Sequence, residues 1–170
     1  MGMRIGFGYD THRLVAGRDL VIGGVRIKFG KGLDGHSDAD VLLHAFTDAL
    51  LGAANLRDIG SHFPNDNPLY KNLDSSVFLI KAMELLAEKK YTLVNADCTI
   101  VAEAPKMMPF IPEMEKNISR LCGVETGLVS IKAKTGERMD AIGRGEGIAA
   151  YAVVLIESAG NQVIFSNRLL

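Results

Sequence analysis

Two histidines and one aspartate in the first third of the chain have the types and spacing of a metal site. Asp10 and His12 lie two positions apart in a segment predicted to end a strand, so both side chains point to the same face. His44 lies on a predicted helix. One carboxylate oxygen, two imidazole nitrogens and an open fourth position are typical of a catalytic zinc site. Spacing alone also allows the two histidines to be ordinary polar residues.

The residues just before that helix are candidates for binding an anion. A helix N-terminus offers unpaired N–H groups and a positive dipole end, which attract phosphate. His36 and Ser37 lie there, and Ser37 with Asp40 has the spacing of a capping box. We expect this helix end to hold an anion, although a capping role alone also explains Ser37. Asp40 and Asp48 lie four residues on either side of His44, so one of them is expected to orient its imidazole.

Two further polar segments are candidates for substrate binding. One is a long loop that contains Asp58-Ile59-Gly60 and Phe63-Pro64-Asn65-Asp66-Asn67, residue types that turns alone also explain. The other spans residues 132–146 and is charged, as a solvated surface would be. Its Thr135 and Glu137 suit a phosphate held with Mg²⁺, because this ion commonly takes one or two carboxylates together with substrate phosphates.

Composition excludes several classes of protein. The 170 residues carry a net charge of −1, so no overall field attracts nucleic acid or an anionic membrane. No apolar run approaches the roughly 18 residues of a membrane span, and the first residues lack the pattern of a secretory signal peptide. Cys98 and Cys122 form no C-x-x-C motif and are interpreted as free thiols. We expect a cytoplasmic protein, or one of the plastid stroma after removal of a transit peptide, with no nucleic-acid or membrane partner.

Hydrophobic periodicity predicts strands and helices that mix without strict βαβ alternation. Strands are predicted at 3–9, 20–28 (a hairpin around Gly23-Gly24), 92–102, 128–135 and 147–157. Helices are predicted from Ser37 to about Ala54, from Ser75 or Ser76 to about Lys89, and from Pro109 or Pro112 to Gly123. This mixture favours an α+β fold: one domain at 1–157, with a mixed, largely antiparallel sheet covered by helices on one face. A loosely ordered tail is expected at 158–170.

Short motifs along the chain, taken in order, resemble a known family. They are Gly8-Tyr9-Asp10-Thr11-His12, Ile22-Gly23-Gly24-Val25-Arg26-Ile27, His36-Ser37-Asp38-Ala39-Asp40-Val41-Leu42-Leu43-His44-Ala45, Thr47-Asp48-Ala49-Leu50-Leu51-Gly52-Ala53-Ala54, Asp58-Ile59-Gly60, Phe63-Pro64, Ala104-Pro105-Lys106-Met107 and Gly143-Arg144-Gly145-Glu146-Gly147-Ile148-Ala149. Together they closely resemble the 2-C-methyl-D-erythritol 2,4-cyclodiphosphate synthase family of the non-mevalonate isoprenoid pathway. The match covers about residues 3–157.

The resemblance implies an activity, two kinds of metal ion and an assembly. Such an enzyme converts 4-diphosphocytidyl-2-C-methyl-D-erythritol 2-phosphate to the cyclic diphosphate and releases CMP. It is a zinc-dependent lyase that uses Mg²⁺ or Mn²⁺ as a second ion. It forms a homotrimer around its sheets, with active sites between neighbouring subunits. An isoprenoid diphosphate at the trimer axis is a further ligand that this resemblance leaves open.

The resemblance also assigns roles to individual residues. The zinc-ligand positions are those of Asp10, His12 and His44, and the position of the second ion is that of Glu137. The positions that stabilise the transition state are those of His36 and Thr135. The substrate-binding positions are those of Ser37, Asp58, Ile59, Gly60, Phe63, Pro64, Asn65, Asp66, Asn67, Ala102, Glu103, Ala104, Pro105, Lys106, Met107, Met108, Lys134 and Arg144. Residues 102–108 among them correspond to the cytidine pocket.

The chain departs from the family pattern at two positions. Gly136 stands where the family commonly has a threonine, and Ala141 stands where it has an aromatic residue. Both departures bear on contacts near the trimer axis, where Arg144 and Glu146 are expected to lie.

Two other functions are compatible with the metal site alone. One is a zinc hydrolase that attacks a phosphoester with a metal-bound hydroxide. The other is a binding module that senses a nucleotide or an isoprenoid diphosphate without turnover. Without the family motifs, the spacing of the residues supports only metal-dependent phosphate chemistry.

Overall fold

A mixed sheet of five strands forms the frame of the protein in the computed structural model, which describes residues 2–64 and 73–159. The described ranges contain seven strands, five in this sheet and two in a separate hairpin. They are β1 (Met3–Ala16), β2 (Leu20–Ile22), β3 (Val25–Ile27), β4 (Lys31–Leu33), β5 (Tyr91–Val101), β6 (Val129–Lys134) and β7 (Gly147–Ser158). The sheet has the order β4-β1-β7-β5-β6, while β2 and β3 form a separate hairpin. Strands β5 and β6 run parallel, and the other neighbours in the sheet pair antiparallel.

Helices pack against this sheet and supply much of the core. Within the described ranges they are α1 (Val41–Ala53), α2 (Ile59–His62), α3 (Ser76–Glu88) and α4 (Ile111–Cys122). Helix α1 packs against β1 and β7, α4 packs against β6, and α3 packs against α1. Leu42, Phe46 and Leu50 of α1 are fully buried. The predicted α+β fold with a mixed, largely antiparallel sheet is confirmed.

Strand β1 and helix α1 approach each other backbone to backbone. A Cβ atom on Gly6 would lie 1.9 Å from the Ala49 carbonyl oxygen. A Cβ atom on Gly8 would lie 1.9 Å from that of Ala45. Only glycine fits at these two positions. Since strand residues alternate between faces, Asp10 is the next β1 residue on the side of α1.

The opposite face of the sheet is apolar and exposed in the single chain. Met3, Ile5 and Phe7 point away from α1 and are 66%, 71% and 63% exposed. Tyr9 follows on the same face, and its ring lies 5.0 Å from that of Tyr151 on β7. The helices therefore cover one face of the sheet, as predicted. An exposed apolar patch of this kind marks a surface of interaction.

Helix α1 begins four residues later than the sequence predicted. Asp40 is its N-cap, because its Oδ1 accepts the N–H groups of Leu42 and Leu43 at 3.1 and 3.0 Å. Ser37 Oγ accepts instead the N–H of Ala39, a residue with a left-handed φ of +58°. The predicted capping box was therefore wrong, and these residues form a turn before the helix.

Other boundaries differ from the prediction in smaller ways. Strand β1 continues to Ala16 because it pairs with β7 and then with β4, a strand that was not predicted. Helix α2 is a single helical turn inside the predicted loop. The predicted starts and ends of α3 and α4 are confirmed, with Ser75 as N-cap and Gly123 as a left-handed C-cap.

Two predicted segments lie partly outside the described residues. Asn65, Asp66 and Asn67 are outside them, and so is the predicted tail beyond Ala159. Ser158, which was assigned to that tail, ends β7. Among the helices that the structure describes, none combines the length and apolarity needed to cross a bilayer.

Candidate metal centre

Asp10, His12 and His44 each direct one atom to a common point. Asp10 Oδ2 lies 3.0 Å from His12 Nε2 and 2.9 Å from His44 Nδ1, and the two nitrogens are 3.2 Å apart. The first two side chains come from β1 and the third from the first turn of α1. The close contact at Gly8 therefore brings His44 to the carboxylate. The predicted convergence of the three residues is present in the structure, in a group that can hold a metal ion.

The nitrogen of each imidazole that faces away from this point has a partner of its own. His12 Nδ1 lies 2.7 Å from the carbonyl oxygen of Asp34, which accepts its proton. His44 Nε2 lies 2.9 Å from Ser75 Oγ and 3.2 Å from Ser37 Oγ. When each ring is neutral, these contacts leave Nε2 of His12 and Nδ1 of His44 with lone pairs that face Asp10. Metal-binding histidines typically show this arrangement.

The electrostatics of the cluster favour an ionised carboxylate. Burial alone would raise the pKa of Asp10, but hydrogen bonds and charge from His12 and His44 outweigh it and hold this pKa well below its ordinary value. Burial alone would lower the pKa of His12, but the hydrogen bond and charge of Asp10 raise it. Without a metal ion, the negative charge of Asp10 therefore favours a protonated imidazole beside it.

The donor set fits a divalent ion such as Zn²⁺. One carboxylate and two imidazoles are borderline ligands that suit zinc, and three protein ligands leave a fourth position for a substrate. Three atoms that all carry lone pairs lie within about 3 Å of one another and repel unless a cation joins them. The side chains of Asp10, His12 and His44 are only 25%, 19% and 13% exposed, so water screens that repulsion poorly.

A loop held by Arg18 forms one wall beside the cluster. The Arg18 guanidinium donates to the carbonyl oxygens of Gly35 at 2.8 Å and Ser37 at 2.6 Å. These two carbonyls flank His36, so Arg18 holds the backbone on both sides of that residue. The sequence did not single out Arg18, because a lone arginine on a polar segment gives no signal of a partner far along the chain.

The cluster opens into a pocket that several of the predicted residues line. The lining residues are Asp10, His12, Gly35, His36, Ser37, His44, Asp48, Ile59, Phe63 and Phe78. Seven of these were predicted from the sequence, whereas Gly35 and Phe78 were not, and Asp48 was expected only as a partner of His44. The pocket therefore joins the metal cluster to the loop at His36 and to the predicted sugar-binding segment at Ile59 and Phe63.

The structure contradicts the prediction of a free helix end at His36 and Ser37. The Asp40 carboxylate occupies the first N–H groups of α1 and also accepts those of Gly23 at 2.9 Å and Gly24 at 2.7 Å. No unpaired N–H group of the first turn is thus left for an anion at Leu42 or Leu43. His36 and Ser37 still line the pocket, but as members of the turn before the helix.

Neither Asp40 nor Asp48 orients His44 in the way that the sequence suggested. Asp40 binds the backbone groups named above, and Asp48 Oδ1 accepts the N–H of Ile59 at 2.7 Å. The partners of the outward imidazole nitrogen are instead Ser75 and Ser37. Ser75 is distant from His44 in sequence, and the sequence indicated it only as a residue at the start of a helix.

Asp58 has a structural role in the segment predicted to bind substrate. Its Oδ1 accepts the N–H and the hydroxyl of Ser61, each at 2.8 Å, and caps α2. These hydrogen bonds lower the pKa of the Asp58 carboxyl. This cap orients the helical turn so that Ile59 faces the pocket, while Gly60 and Pro64 flank the lining residues in sequence.

Most of the remaining predicted residues lie beyond the ends of β5 and β6. Thr11, Ala149, Val101 and Lys134 are adjacent across β1, β7, β5 and β6. Three strand spacings, about 14 Å, therefore separate the metal ligands on β1 from the end of β6. The segments beyond β5 and β6 hold most of the other predicted residues, namely Ala102, Glu103, Ala104, Pro105, Lys106, Met107, Met108, Lys134, Thr135 and Glu137. Arg144 lies just before β7 instead, two residues from Glu146, whose carbonyl oxygen accepts the N–H of Leu14 on β1. Within one chain these residues do not line the pocket of the metal cluster.

Some of the predicted residues outside the pocket of the metal cluster make polar contacts with their neighbours in sequence. The Thr135 hydroxyl donates to Glu137 Oε1, so these two side chains are paired at the exposed end of β6. Arg144 Nε donates to Glu146 Oε1 at 2.7 Å. Glu103 Oε2 is buried and has no hydrogen-bond partner among the described residues.

One departure from the family pattern has a structural explanation. A Cβ atom on Gly136 would lie 2.5 Å from the backbone nitrogen of Gly143, so the segment between them closes on itself tightly. The N–H of Met139 donates to the Gly136 carbonyl at 3.0 Å, and that of Gly143 donates to Asp140 Oδ1 at 2.8 Å. In this chain the turn therefore requires glycine at position 136. No contact in the structure explains Ala141.

Comparisons with known proteins agree with the motifs. The family model described as the YgbB family matches residues 3–157. The chain is 54% identical over 157 residues to the 2-C-methyl-D-erythritol 2,4-cyclodiphosphate synthase of Bacteroides thetaiotaomicron, covering 92% of this chain and 99% of that protein. It is 58% identical over 154 residues to the synthase of the same name from Symbiobacterium thermophilum, covering 91% and 98%.

A solved structure described as an IspF–CDP complex from Plasmodium falciparum has the same fold. The TM-score is 0.83 at 33% identity, and the match covers 94% of this chain and 98% of that one. The family predicted from the motifs is thereby confirmed. From its sequence and its fold, the chain belongs to the YgbB family of 2-C-methyl-D-erythritol 2,4-cyclodiphosphate synthases.

Proposed function

We propose that this protein converts 4-diphosphocytidyl-2-C-methyl-D-erythritol 2-phosphate to 2-C-methyl-D-erythritol 2,4-cyclodiphosphate and CMP. An oxygen of the 2-phosphate bonds to the β-phosphorus, the bond from that phosphorus to the bridging oxygen of the α-phosphate breaks, and CMP leaves. The observation that carries the proposal is the cluster of Asp10, His12 and His44, which opens into a pocket beside His36. The family supplies the identity of the substrate.

This reaction needs little covalent chemistry from the protein. The substrate supplies its own nucleophile, and a phosphate monoester is largely ionised at neutral pH, so no serine, cysteine or strong base is required. The obstacles are the repulsion between anions and the geometry of ring closure. Positioning and electrostatic stabilisation overcome both in phosphoryl transfer.

Asp10, His12 and His44 would hold Zn²⁺ in this pocket. When bound, zinc supplies a Lewis acid that polarises a phosphoryl oxygen and offsets negative charge. His36 lines the same pocket and is exposed to it, so its imidazole can donate to the attacking phosphate or to a charged oxygen in the transition state. Ser37 adds a hydroxyl at the back of the pocket.

Glu137 and Thr135 would serve the diphosphate from the other side. The Glu137 carboxylate is exposed and would take Mg²⁺ or Mn²⁺ together with oxygens of the α- and β-phosphates. The Thr135 hydroxyl, which donates to that carboxylate, would turn to a phosphate oxygen when substrate is present. Lys134 lies next to them and adds a positive charge.

Two other segments of the protein would bind the nucleoside and the sugar alcohol. Residues 102–108, which follow β5, would form the cytidine pocket. Residues 58–60 and 63–67 would contact the ribose and the methylerythritol, and Ile59 and Phe63 already line the pocket.

We infer a homotrimer with active sites between subunits, and two observations support a contact of this kind. The exposed face at Ile5 and Phe7 is apolar enough to be buried between subunits. The metal cluster on β1 and the end of β6 are about 14 Å apart across the sheet, too far to grip one diphosphate within a chain. Contact between subunits through their sheets would bring the metal cluster of one subunit to residues 102–108 and 134–137 of its neighbour.

The proposal extends to a second ligand and to the cellular location. An isoprenoid diphosphate near Arg144 at the trimer axis would be bound by the exposed charge of that side chain. The two cysteines are unpaired and buried, which suits a reducing compartment such as the cytoplasm.

³¹P NMR of the purified protein with the cytidyl substrate, Zn²⁺ and Mg²⁺ tests this function. We expect two coupled signals of a cyclic diphosphate that appear together with CMP. The variant His44→Ala should lose zinc and most of the turnover while the protein stays folded. An open-chain product would show a hydrolase instead, and tight CMP binding without turnover would show a binding module.

A further inference from the structure

We propose that Ser75 is a positioning residue of the metal centre, through which the Asp38 carboxylate sets the tautomer and orientation of His44. The inference rests on the metal site of the proposed function and adds two residues that the family motifs do not assign to it. Its basis is a chain of hydrogen bonds that leads from Asp38 through Ser75 to the imidazole.

This series of hydrogen bonds is short, and its central residue is buried. Ser75 Oγ lies 2.9 Å from His44 Nε2, and the Ser75 hydroxyl donates to Asp38 Oδ1. Ser75 is completely buried. Its backbone N–H also donates to Asp38 Oδ2 at 3.2 Å, so the carboxylate holds the serine at two points.

Asp38 is the acceptor at the end of this series of hydrogen bonds, and it sets the direction of each of them. An ionised carboxylate only accepts, so the Ser75 hydroxyl proton must point to Asp38. The Ser75 oxygen then offers only lone pairs to His44, and Nε2 must carry the proton that it accepts. This leaves His44 Nδ1 unprotonated and facing Asp10, as a metal ligand requires.

The second serine in the site agrees with this direction. Ser37 Oγ accepts the N–H of Ala39 at 3.0 Å and lies 3.3 Å from Ser75 Oγ. Its hydroxyl can therefore donate to the remaining lone pair of Ser75. Ser75 then has one donor bond and two acceptor bonds, which is the full capacity of a hydroxyl.

The first turn of α3 also packs the ring that it orients. Phe78 lies three residues after Ser75, on the same face of the helix. Its ring centroid is 5.9 Å from that of His44. Helix α3 thus supplies a polar contact at the imidazole edge and an apolar contact at the ring, although it carries no metal ligand itself.

The test compares Zn²⁺ affinity by competition with a chromophoric chelator in wild type, Ser75→Ala and Ser76→Ala. Loss of an outer partner typically weakens metal affinity about ten- to a hundredfold, and we expect a loss of this size for Ser75→Ala. Ser76→Ala removes a hydroxyl one residue further along the helix, about 100° around its axis, and should bind zinc like wild type. The visible spectrum of the Co²⁺-loaded protein should change only in Ser75→Ala.

A double-mutant cycle with Asp38→Asn tests whether the carboxylate acts through the serine. Asp38→Asn keeps an acceptor oxygen but loses the charge, so its affinity should fall by about threefold or more. Ser75→Ala/Asp38→Asn should bind no more weakly than Ser75→Ala alone, because the path is already broken. Additive losses would overturn the proposal, and so would a Ser75→Ala protein whose affinity stays within about twofold of wild type. Should Ser75→Ala fail to fold, wild-type affinity in Asp38→Asn overturns it.

Activity assays separate this inference from the proposed function. A wild-type protein that binds zinc but makes no cyclic diphosphate, with affinity lost in Ser75→Ala, supports the role of Ser75 and overturns the synthase function. An active wild-type protein, together with a Ser75→Ala variant whose zinc affinity is unchanged, supports the synthase function and overturns the role of Ser75. A wild type that binds no zinc overturns the inference and the metal site together.

Discussion

The two imidazoles of the metal centre present opposite nitrogens to the same point, and their different partners explain why. His12 donates from Nδ1 to a backbone carbonyl, so Nε2 is free. His44 donates from Nε2 to a serine hydroxyl, so Nδ1 is free. Each partner selects one tautomer, and metal binding then needs no rearrangement of protons within either ring.

Removal of the charge at Glu137 should affect the second metal ion and spare the first. In Glu137→Gln, the Mg²⁺ concentration that gives half-maximal activity should rise by roughly tenfold or more, because a Mg²⁺ held by one carboxylate loses its only protein charge. Zinc content should equal that of wild type, since Glu137 does not line the pocket of the metal cluster. Steady-state rates over a Mg²⁺ titration, with zinc measured by elemental analysis, check this. An unchanged Mg²⁺ requirement would contradict the assigned role.

The buried Asp40 carboxylate is expected to make stability depend on pH. Burial raises the pKa of Asp40 from 3.8 to about 6, although N–H groups of Gly24 and Leu43 lower it. Because the folded-state value lies above the unfolded one, the stabilisation from protonated Asp40 is complete below pH 3.8 and is lost as the pH rises through 6.

The variant Asp40→Asn tests this pH dependence. At pH 7 it should be about 1–3 kcal/mol less stable than wild type, because the amide N–H₂ faces a backbone N–H that the carboxylate satisfied. The difference in stability between wild type and the variant should grow as the pH falls from 7 to 4, since the asparagine cannot take up the proton that Asp40 takes up. Urea unfolding of the metal-free proteins measures both effects. Asp19→Asn, at an exposed ion pair with Arg26, is the control and should change stability by less than about 1 kcal/mol. A constant difference over this pH range would show that Asp40 stays ionised in the folded protein.

At the scale of elements, the candidate metal centre lies where β1 and α1 touch without intervening side chains. Gly6 and Gly8 let the helix backbone rest on the strand, and the same face of the strand continues to Asp10 and His12. The distance from Asp10 to His44 is therefore set by the separation of the two backbones. Packed elements of this kind hold a site more accurately than loops do.

Gly8→Ala should damage both the fold and the metal site. The new methyl group would lie 1.9 Å from the Ala45 carbonyl oxygen, so the helix must move away from the strand. We expect a loss of about 1–3 kcal/mol or more in the free energy of unfolding, and a lower zinc affinity because His44 moves with the helix. Urea unfolding and chelator competition measure the two effects.

Gly52→Ala is the matched control on the same helix. A Cβ atom at this exposed position meets nothing within 4 Å among the described residues. Alanine in a helix is better than glycine by roughly 0.5–1 kcal/mol, so this variant should be slightly more stable, with unchanged zinc affinity. Equal behaviour of the two alanine variants would disprove the close-approach argument.

At the scale of the whole molecule, the proposed site is divided between subunits. One group of residues surrounds the metal cluster, and the other follows β5 and β6, whose ends lie two and three strand spacings from β1, about 10 and 14 Å. The exposed apolar face of β1 and β7 offers the contact that would join them. In this proposal, each monomer holds two half-sites, and assembly of the subunits would join them.

Mixing of two inactive variants tests that division. His44→Ala and Glu137→Ala damage different half-sites, so each homo-oligomer should be nearly inactive. If the variants are unfolded together, mixed in equal amounts and refolded, about a quarter of the sites should combine two intact halves. Activity should therefore return to about a quarter of the wild-type rate. Variants refolded separately and then mixed without exchange are the control. Continued inactivity of the refolded mixture would place the whole site within one chain.

Short-range patterns were enough to identify the family and the group of side chains that could hold a metal ion. The two-residue period of a strand placed Asp10 and His12 on one face, and Gly23-Gly24 marked the hairpin. Motifs spread over residues 3–157 led to the correct family and fold class. These features depend on bonded geometry and on residues close in sequence, so a single sequence contains them.

Features that depend on contacts between distant segments were missed or assigned incorrectly. Asp40 rather than Ser37 caps α1, because the hairpin at Gly23-Gly24 supplies two more N–H groups that only a carboxylate satisfies. Ser75 reaches His44 because α3 packs against α1. Which distant donor meets which acceptor is set by how the elements pack. Local propensity carries no information on that packing, so these contacts emerged only from the folded chain.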